Sequence, residues 1–245
     1  MAQLVVREDS DGIATLTLNR PEALNALSPN LFVELRAHVD AIARVEAIGC
    51  VVLRGAGRSF SAGNDLKAIQ AGEEAPHPRF QAETIERLGA LPQAVIAAVH
   101  GHCYTGALEL ALGADIILAA ESAKFCDTHG KWGMAPRWGM SQRLPRKIGE
   151  ARALAMMLTG RVVSGQEAAA IGLAMACVPD ARFEAETRAL ASQVAGQSRA
   201  SIRAYKMLVH GGSGLPLKAA IDFEWANSPG RTAETAERLK RFGNA

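Results

Sequence analysis

The sequence predicts an α/β fold whose first part combines strands with helices and whose last part is mostly helical. Two uninterrupted apolar runs of strand length, residues 50–53 and 94–99, indicate strands that are covered on both faces. Strand signals become scarce in the second half of the chain, where helical patterns dominate. We therefore expect an α/β core over residues 1–195 and a C-terminal helical region over residues 196–245.

The elements of the first part follow from local patterns. Residues 3–8 and 13–18 are predicted to form a hairpin around the turn at 9–12, because apolar and polar residues alternate along the second run. Apolar residues at helical spacing predict an amphipathic helix from residue 29 to about residue 46. A third apolar run, residues 114–119, predicts another buried strand.

Glycine and proline residues separate the remaining elements. Residues 72–78 contain two prolines and two glutamates, which favours a mobile surface loop before a helix at 79–90. An alanine-rich helix is predicted at 164–171, and residues 174–178 give the clearest strand signal of the second half. Further turns are predicted at Gly149, Gly160, Gly172 and Gly211.

Length and composition limit the classes of protein to consider. With 245 residues, the chain is long enough to bury a core without disulfides or a metal. Its formal net charge of +2 gives no support for a nucleic-acid partner or an anionic membrane surface, although it suits a phosphorylated ligand. No apolar run reaches the length of a membrane span, and the N-terminal residues resemble a strand more than a signal peptide. These features predict a cytoplasmic protein.

The cysteines are widely spaced in apolar surroundings. No CxxC pair and no Cys/His cluster with the spacing of metal ligands occurs in the sequence. We therefore expect buried, reduced thiols, with neither a disulfide framework nor a metal site. The cysteines are Cys50, Cys103, Cys126 and Cys177.

Two glycine-bearing stretches, residues 59–66 and 100–109, give the clearest functional signal. Each follows an apolar run of β type and leads into a helical pattern, which places a turn with exposed backbone N–H groups where a helix begins. Two such turns that converge can hold a carbonyl oxygen between two N–H donors, as an oxyanion hole does. The alternative is that both are ordinary strand-to-helix connections whose glycines relieve backbone strain.

The same stretches resemble two segments of the crotonase (enoyl-CoA hydratase/isomerase) superfamily. S-F-S-A-G-N-D-L at 59–66 is similar to the family's A-G-x-D-[LI] segment, and T-G-A-L-E at 105–109 is similar to the segment in which a small glycine cluster precedes a glutamate. The resemblance implies a spiral of repeated ββα units, followed by helices that assemble a homotrimer or hexamer. Further blocks match in family order at residues 18–27, 133–144 and 158–173.

The resemblance assigns the two oxyanion N–H groups to Asn64 and Gly106. Glu109 lies three residues after Gly106, which on a helix places its carboxylate on the face that carries the Gly106 N–H. Its position matches the catalytic glutamate of hydratases in the family, and we interpret it as the acid/base group. The structural alternative is a glutamate in the first helical turn, where it interacts favourably with the helix dipole.

The family's second catalytic glutamate aligns with His129 in this chain. Asp127 lies two positions earlier, and in an extended segment both side chains would project from one face. Such a pair could transfer protons, with Asp127 orienting His129 or raising its pKa. In the alternative, His129 only lines the pocket and Glu109 is the one acid/base group.

The resemblance also implies the walls of the ligand site. Trp132, Met134 and Trp138 flank the loop after His129 and form either an apolar acyl pocket or part of the core. For coenzyme A, the resemblance implies that backbone groups around residues 62 and 65–66 hold the adenine and the pantetheine, and that the segment at residues 23–24 lies along the ligand. The residues implied to contact coenzyme A are Ala23, Leu24, Ala62, Asp65 and Leu66.

These observations predict an enoyl-CoA hydratase that adds water to a trans-2-enoyl-CoA through a thioester enolate held in the oxyanion hole. Coenzyme A enters as part of the substrate, and no cofactor or metal is implied. The alternatives within the fold are an enoyl-CoA isomerase and an acyl-CoA decarboxylase. A catalytically weak acyl-CoA-binding protein is the alternative from another class. Acyl-chain length stays open.

Overall fold

The computed structural model describes the backbone of residues 3–242 and the side chains of residues 3–240. The ends of the two predicted regions, residues 1–2 and 243–245, lie outside the described residues. The strands are β1 (Val5–Ser10), β2 (Ile13–Leu18), β3 (Cys50–Gly55), β4 (Ala94–Val99), β5 (His102–Tyr104), β6 (Ile116–Ala120), β7 (Lys124–Cys126), β8 (Val163–Ser164) and β9 (Ala176–Val178). The α-helices are α1 (Pro29–Ile42), α2 (Leu66–Gln70), α3 (Phe80–Gly89), α4 (Gly106–Ala111), α5 (Met140–Ile148), α6 (Glu150–Thr159), α7 (Gly165–Ala170), α8 (Asp180–Ala195), α9 (Arg199–Gly212), α10 (Leu217–Asn227) and α11 (Thr235–Phe242).

The larger sheet has six strands in the order β1-β2-β3-β4-β6-β9. The first two strands form the predicted antiparallel hairpin, with Val5 opposite Leu18, but β1 lies two residues later than predicted and pairs as far as Ser10, so the turn consists of residues 11–12 instead of 9–12. The other neighbouring pairs are parallel. All residues of β4 are buried, which confirms the prediction from its uninterrupted apolar run.

A second sheet contains three short strands in the order β5-β7-β8. The chain passes from β4 to β5 and then to α4, and from β6 to β7, so successive turns of the chain add a strand to each sheet. This arrangement is a spiral of ββα units. The sequence did not predict the strands of the second sheet, because runs of two or three residues are too short to show alternation.

The predicted helices and strands are present, and several of them have shorter bounds. Helix α1 begins after Ser28, whose hydroxyl accepts a hydrogen bond from the Leu31 N–H, and it ends at Ile42 instead of near residue 46. Strand β6 starts two residues later than predicted. The Ala114 N–H donates to the carbonyl oxygen of Ala111 at 3.0 Å, so Ala114 still belongs to the turn that follows α4. Strand β9 also starts two residues later than expected.

Different helices cover the two faces of the larger sheet. On β3, Val51 and Leu53 face the main hydrophobic core, which also contains the apolar side of α1. Cys50 and Val52 face the opposite side, where they pack with Ala191 of α8. The parallel strands are therefore covered on both faces, as their composition requires.

Helix α9 is fixed to the larger sheet at the N-terminal ends of strands β4 and β6. Lys206 Nζ lies 2.7 Å from Asp115 Oδ2 and 2.8 Å from the carbonyl oxygen of Gln93. Asp115 also accepts the Val95 N–H at 2.7 Å. The C-terminal helices expose large apolar side chains, of which Trp225 is 88% exposed. Assembly through the region 196–245 stays a prediction.

Two expectations from composition can be compared with the structure. All four cysteines are free thiols, and burial raises the pKa of the Cys50 thiol to about 12 and that of Cys103 well above its ordinary value. Cys177 is only partly buried. In the part of the chain that the structure describes, no helix combines the length and the apolar character needed to cross a membrane.

Candidate active site

The two glycine-bearing stretches lie side by side in the structure. The Ser61 N–H donates to the His102 carbonyl oxygen at 2.8 Å, so the segment before Gly63 runs along β5. A Cβ atom built on Gly63 would lie 3.5 Å from the backbone nitrogen of Gly106. The two turns therefore converge.

The backbone N–H groups of Asn64 and Gly106 are available to a ligand. Neither donates a hydrogen bond to another atom within residues 3–240. Gly106 is the first residue of α4, so its N–H has no partner inside that helix. Both residues line one cavity of about 310 Å³. The structure thus brings Asn64 and Gly106 to the same cavity, and their role as an oxyanion hole stays a prediction.

The residue before Gly106 has a strained backbone. Thr105 adopts φ 53° and ψ −110°, a region that a β-branched residue rarely occupies. Its N–H donates to the Cys126 carbonyl oxygen at 2.8 Å, and its hydroxyl accepts the Thr128 N–H at 3.0 Å. The two threonine hydroxyls are 2.6 Å apart. Such strain costs about 1–3 kcal/mol and persists where the surrounding structure imposes it. Here the strained conformation of Thr105 turns the chain so that α4 begins at the wall of the cavity.

Glu109 is held rigidly at the cavity. Its Oε1 accepts the backbone N–H groups of Trp138 at 2.8 Å and Met140 at 3.0 Å. Its Oε2 lies 3.9 Å from the Nε2 atom of His129. The residue is only 1% exposed, and it lines the same cavity as Asn64 and Gly106. One carboxylate oxygen is thus used for positioning, and the other is available for chemistry.

Asp127 and His129 form a pair, as predicted, but through a different geometry. The segment is not extended, because His129 has helical backbone angles (φ −52°, ψ −49°). Asp127 Oδ1 accepts the backbone N–H of His129 at 3.0 Å, an Asx turn, and lies 2.7 Å from its Nδ1. Since an ionised aspartate can only accept, Nδ1 carries a hydrogen and Nε2 faces Glu109.

The surroundings shift the pKa of both proton-transfer candidates. Burial raises the pKa of Glu109 above its ordinary value, against the opposing effects of its two backbone donors and the charge of His129. Burial alone would lower the pKa of His129, but the hydrogen bond to Asp127 and the charges of the two carboxylates raise it. The two carboxylates thus make protonation of the imidazole easier than it is for a free histidine.

The three residues predicted to form the acyl pocket all line the cavity. Trp132 is 53% exposed and Met134 is 42% exposed, so the alternative of core packing is wrong for both. Trp138 packs edge-on against Phe32, with the ring centroids 5.0 Å apart. Its ring also covers Gly106, where an added Cβ would approach it to 2.5 Å. Trp138 therefore belongs to the cavity wall and to the core.

The residues predicted to contact coenzyme A divide into two groups. Ala62 and Leu66 line the cavity, whereas Ala23, Leu24 and Asp65 do not. The Ala62 N–H donates to the Leu24 carbonyl oxygen at 2.8 Å, so the two predicted segments are neighbours. This hydrogen bond leaves the Ala62 N–H unavailable to a ligand.

The carboxylate of Asp65 is fully engaged within the protein. It accepts the N–H groups of Lys67 at 3.0 Å and Ala68 at 3.1 Å, which caps α2, and it pairs with Arg20 at 2.7 Å. The Asp65 N–H donates to the Leu27 carbonyl oxygen at 3.2 Å. The structure thus gives the Asp65 carboxylate the role of a helix cap, and the contact of residues 65–66 with coenzyme A stays a prediction.

Sequence reasoning missed several groups at this site. The threonine pair Thr105 and Thr128 has no sequence signature, because its importance comes from a strained turn. The backbone donors of Trp138 and Met140 have none either, because every residue except proline carries an N–H group. Arg137 also lines the cavity, and its basic side chain in the matched block 133–144 was a visible signal.

Among the described residues, no three His, Cys, Asp or Glu side chains are grouped so that they could hold a metal ion. The expectation that the protein uses no cofactor stays a prediction.

Comparison with known proteins places the chain in a family. Residues 8–242 match the family model described as enoyl-CoA hydratase/isomerase. The chain is 33% identical to 1,2-epoxyphenylacetyl-CoA isomerase of Escherichia coli K12, over 99% of this chain and 96% of that protein. It is 35% identical to a probable enoyl-CoA hydratase of Rhodobacter capsulatus, over 96% and 93% of the two chains.

Solved structures of the same family have the same fold as this chain. The chain superposes on the enoyl-CoA hydratase of Bacillus anthracis with a TM-score of 0.93 and 32% identity, covering 99% of this chain and 96% of the other. A Streptomyces coelicolor protein described as a putative enoyl-CoA hydratase gives a TM-score of 0.90 at 28% identity, covering 98% and 91%. The chain therefore belongs to the enoyl-CoA hydratase/isomerase family of the crotonase superfamily and has the crotonase fold.

Proposed function

We propose that this chain is an enoyl-CoA hydratase, which adds water across the C2–C3 double bond of a trans-2-enoyl thioester. The observation that carries the proposal is the pair formed by Glu109 Oε2 and His129 Nε2, 3.9 Å apart, in the cavity that contains the amides of Asn64 and Gly106. Membership of the family supports an acyl-CoA substrate. The similarity to probable enoyl-CoA hydratases supports the reaction.

The two free amides are suited to stabilise the charge that develops during the reaction. The thioester oxygen accepts hydrogen bonds from the N–H groups of Asn64 and Gly106. As water adds at C3, negative charge moves onto this oxygen, and the hydrogen bonds become stronger in the transition state than in the ground state. One such donor contributes about 3–4 kcal/mol of transition-state stabilisation.

Glu109 and His129 divide the proton transfers between them. Glu109 Oε2 takes a proton from water as the water oxygen bonds to C3, and the electrons of the double bond form the enolate. C2 then takes a proton from Nε2 of the His129 imidazolium, which gives the 3-hydroxyacyl thioester. After the product leaves, a new water molecule between the two groups carries the proton from Glu109 to the neutral Nε2 and restores the site, so one water is added without other change.

The separation of the two groups leaves room for the reacting water. A distance of 3.9 Å between Oε2 and Nε2 is too long for a direct hydrogen bond. A water molecule about 2.8 Å from both atoms fits between them and the substrate. Because Oε1 is fixed by the backbone N–H groups of Trp138 and Met140, the carboxylate cannot swing away from this water.

Mass spectrometry of a short trans-2-enoyl-CoA incubated with the protein tests the proposal. We expect the thioester to gain one water, and we expect 3-hydroxyacyl-CoA to lose water in the reverse reaction. An unchanged enoyl-CoA at high protein concentration, with binding of the same thioester detected by calorimetry, would contradict the hydratase assignment.

An enoyl-CoA isomerase is the second candidate. The specific observation in its favour is the match of residues 8–242 to a family model whose description covers isomerases as well as hydratases. Two proton-transfer groups in one cavity also suffice to move a proton between C4 and C2 of an enoyl thioester. Chromatography of a 3-enoyl-CoA incubation distinguishes the reactions. An isomerase produces the 2-enoyl isomer of equal mass and adds no water to it, whereas a hydratase leaves the 3-enoyl-CoA unchanged.

The pairing of Asp127 with His129 predicts a specific pH dependence. The rate falls as pH rises through the pKa of His129, because the imidazolium that protonates C2 is lost. Asp127 raises this pKa, so replacing Asp127 with asparagine lowers it and moves the alkaline limb of the kcat profile to lower pH. Above neutral pH we expect a loss of kcat of about tenfold or more.

The control for this prediction is Asp222→Asn, which removes an exposed carboxylate that pairs with Lys218 on α10. We expect its pH profile to match that of the wild type. Thermal unfolding of Asp127→Asn separates a loss of fold from a change in titration. An alkaline limb that stays in place in a folded Asp127→Asn protein would show that His129 is not the acid.

A further inference from the structure

Arg137 places a guanidinium at the substrate cavity, in addition to the imidazole of His129. Among the described residues that line the cavity, it is the one lysine or arginine. No carboxylate within residues 3–240 lies within ion-pair distance of its guanidinium, whereas Arg20 and Arg161 are each paired at 2.7 and 2.6 Å. Its side chain is exposed to the cavity and to solvent. Five N–H donors of fixed geometry are therefore available to a ligand.

Arg137 does not belong to the proton-transfer machinery. The neighbouring charges that act on Glu109 are those of His129 and Asp127, and Arg137 is not among them. The Glu109 carboxylate already accepts two backbone N–H groups and has His129 beside its other oxygen. The positive charge of Arg137 is thus left without a role in the proposed hydration.

Arg137 lies at the part of the cavity that is expected to hold the acyl group of the ligand. It directly precedes Trp138, whose N–H holds the Glu109 carboxylate next to the reacting carbons. The neighbouring cavity residues Met134, Ala135 and Trp138 are apolar and suit an acyl chain. A purely hydrocarbon acyl chain is a poor ligand for this position. It would cover the guanidinium without offering it a hydrogen-bond acceptor, and the loss of hydration of the charge would be unfavourable.

We propose that the acyl group of the substrate carries a second, anionic group, a carboxylate, which Arg137 binds. The proposal rests on the assignment of this cavity to acyl-CoA. A carboxylate matches the planar fork of a guanidinium and accepts two parallel hydrogen bonds. The substrate class is thus the monothioester of a short dicarboxylic acid. A phosphate of coenzyme A has the same ability to bind arginine, and the test must separate these two anions.

Calorimetric binding of two saturated thioesters provides the test without turnover. Glutaryl-CoA and pentanoyl-CoA have the same chain length, and a carboxylate in the first replaces the terminal methyl of the second. We expect the wild type to bind glutaryl-CoA about tenfold more tightly, equivalent to about 1.4 kcal/mol. In Arg137→Gln the two affinities become equal. The control Arg146→Gln removes an exposed charge whose side-chain hydrogen bonds, among the described residues, are to Gln142, and it keeps the preference.

The corresponding pantetheine thioesters, which lack the phosphates, separate the two sources of negative charge. We expect the preference for the glutaryl group and its loss in Arg137→Gln to persist with this carrier. Equal affinities of the wild type for both acyl groups would overturn the proposal and leave the hydratase assignment intact. An Arg137→Gln effect that is equal for both acyl groups and vanishes with pantetheine would assign Arg137 to a phosphate. No binding of any acyl-CoA would overturn both proposals.

Discussion

Replacing Glu109 with glutamine is expected to lower kcat for hydration of a trans-2-enoyl-CoA by about 10²–10⁴-fold. Glutamine has nearly the same shape, and its amide oxygen can keep the hydrogen bonds from the Trp138 and Met140 N–H groups. The amide group then faces His129 and cannot take a proton from water. The expected loss is therefore chemical, with substrate affinity changed by much less than kcat.

Steady-state kinetics, ligand calorimetry and thermal unfolding together check this result. Glu86→Gln is the matched control, because it makes the same substitution at an exposed glutamate that pairs with Arg79. It is expected to leave kcat unchanged. A Glu109→Gln protein that is folded, binds substrate and retains kcat within about threefold of the wild type would exclude Glu109 as the base, since a general base contributes far more.

Glu109 also shows which part of the site the sequence could predict. The three-residue spacing from Gly106 and the apolar neighbours of Glu109 identified a buried glutamate beside a free amide. The sequence could not identify the groups that hold it, because they are backbone amides 29 and 31 residues farther along the chain. Their position depends on a turn at Gly139, with φ +115°, and not on the identity of the donating side chains.

Two other differences between expectation and structure have a common local cause. Asp127 was expected to project from an extended segment, and Asp65 was assigned to coenzyme A with no role as a helix cap. In the structure, the carboxylate of each accepts an N–H group two residues later in the chain. Aspartate favours this arrangement in turns and at helix starts, because its short side chain reaches the nearby backbone. Local capping preference was therefore a usable signal at both positions.

The fold was more predictable than the site because it depends on repeated patterns. The long strands β3 and β4 are buried on both faces, and their continuous apolar runs indicated this directly. The short strands β5 and β7 form only when β4 and β6 bring them together, so their pairing is a consequence of the tertiary structure. The strained Thr105 lies between β5 and α4, where no propensity predicts it.

Replacing Gly63 with alanine is expected to disrupt the oxyanion site and the fold around it. Gly63 has φ +98°, which alanine rarely adopts, and an added Cβ would collide with the Tyr104 carbonyl oxygen. Tyr104 belongs to β5, whose pairing with β7 limits its movement. The turn that carries Asn64 must therefore move away from Gly106. We expect kcat to fall by about 10²–10³-fold, as for loss of one oxyanion donor.

The same substitution is expected to lower the free energy of unfolding by about 1–3 kcal/mol, measured by denaturant titration. Gly72→Ala is the matched control, since Gly72 has φ +72° but no atom within 4 Å of an added Cβ. It reports the cost of the backbone conformation alone, and kcat should stay unchanged. If Gly63→Ala loses stability but keeps kcat, Asn64 does not supply an oxyanion N–H, because its displacement from Gly106 would then have no effect on the reaction. A parallel loss of kcat in a folded protein instead ties turnover to the distance between the two turns.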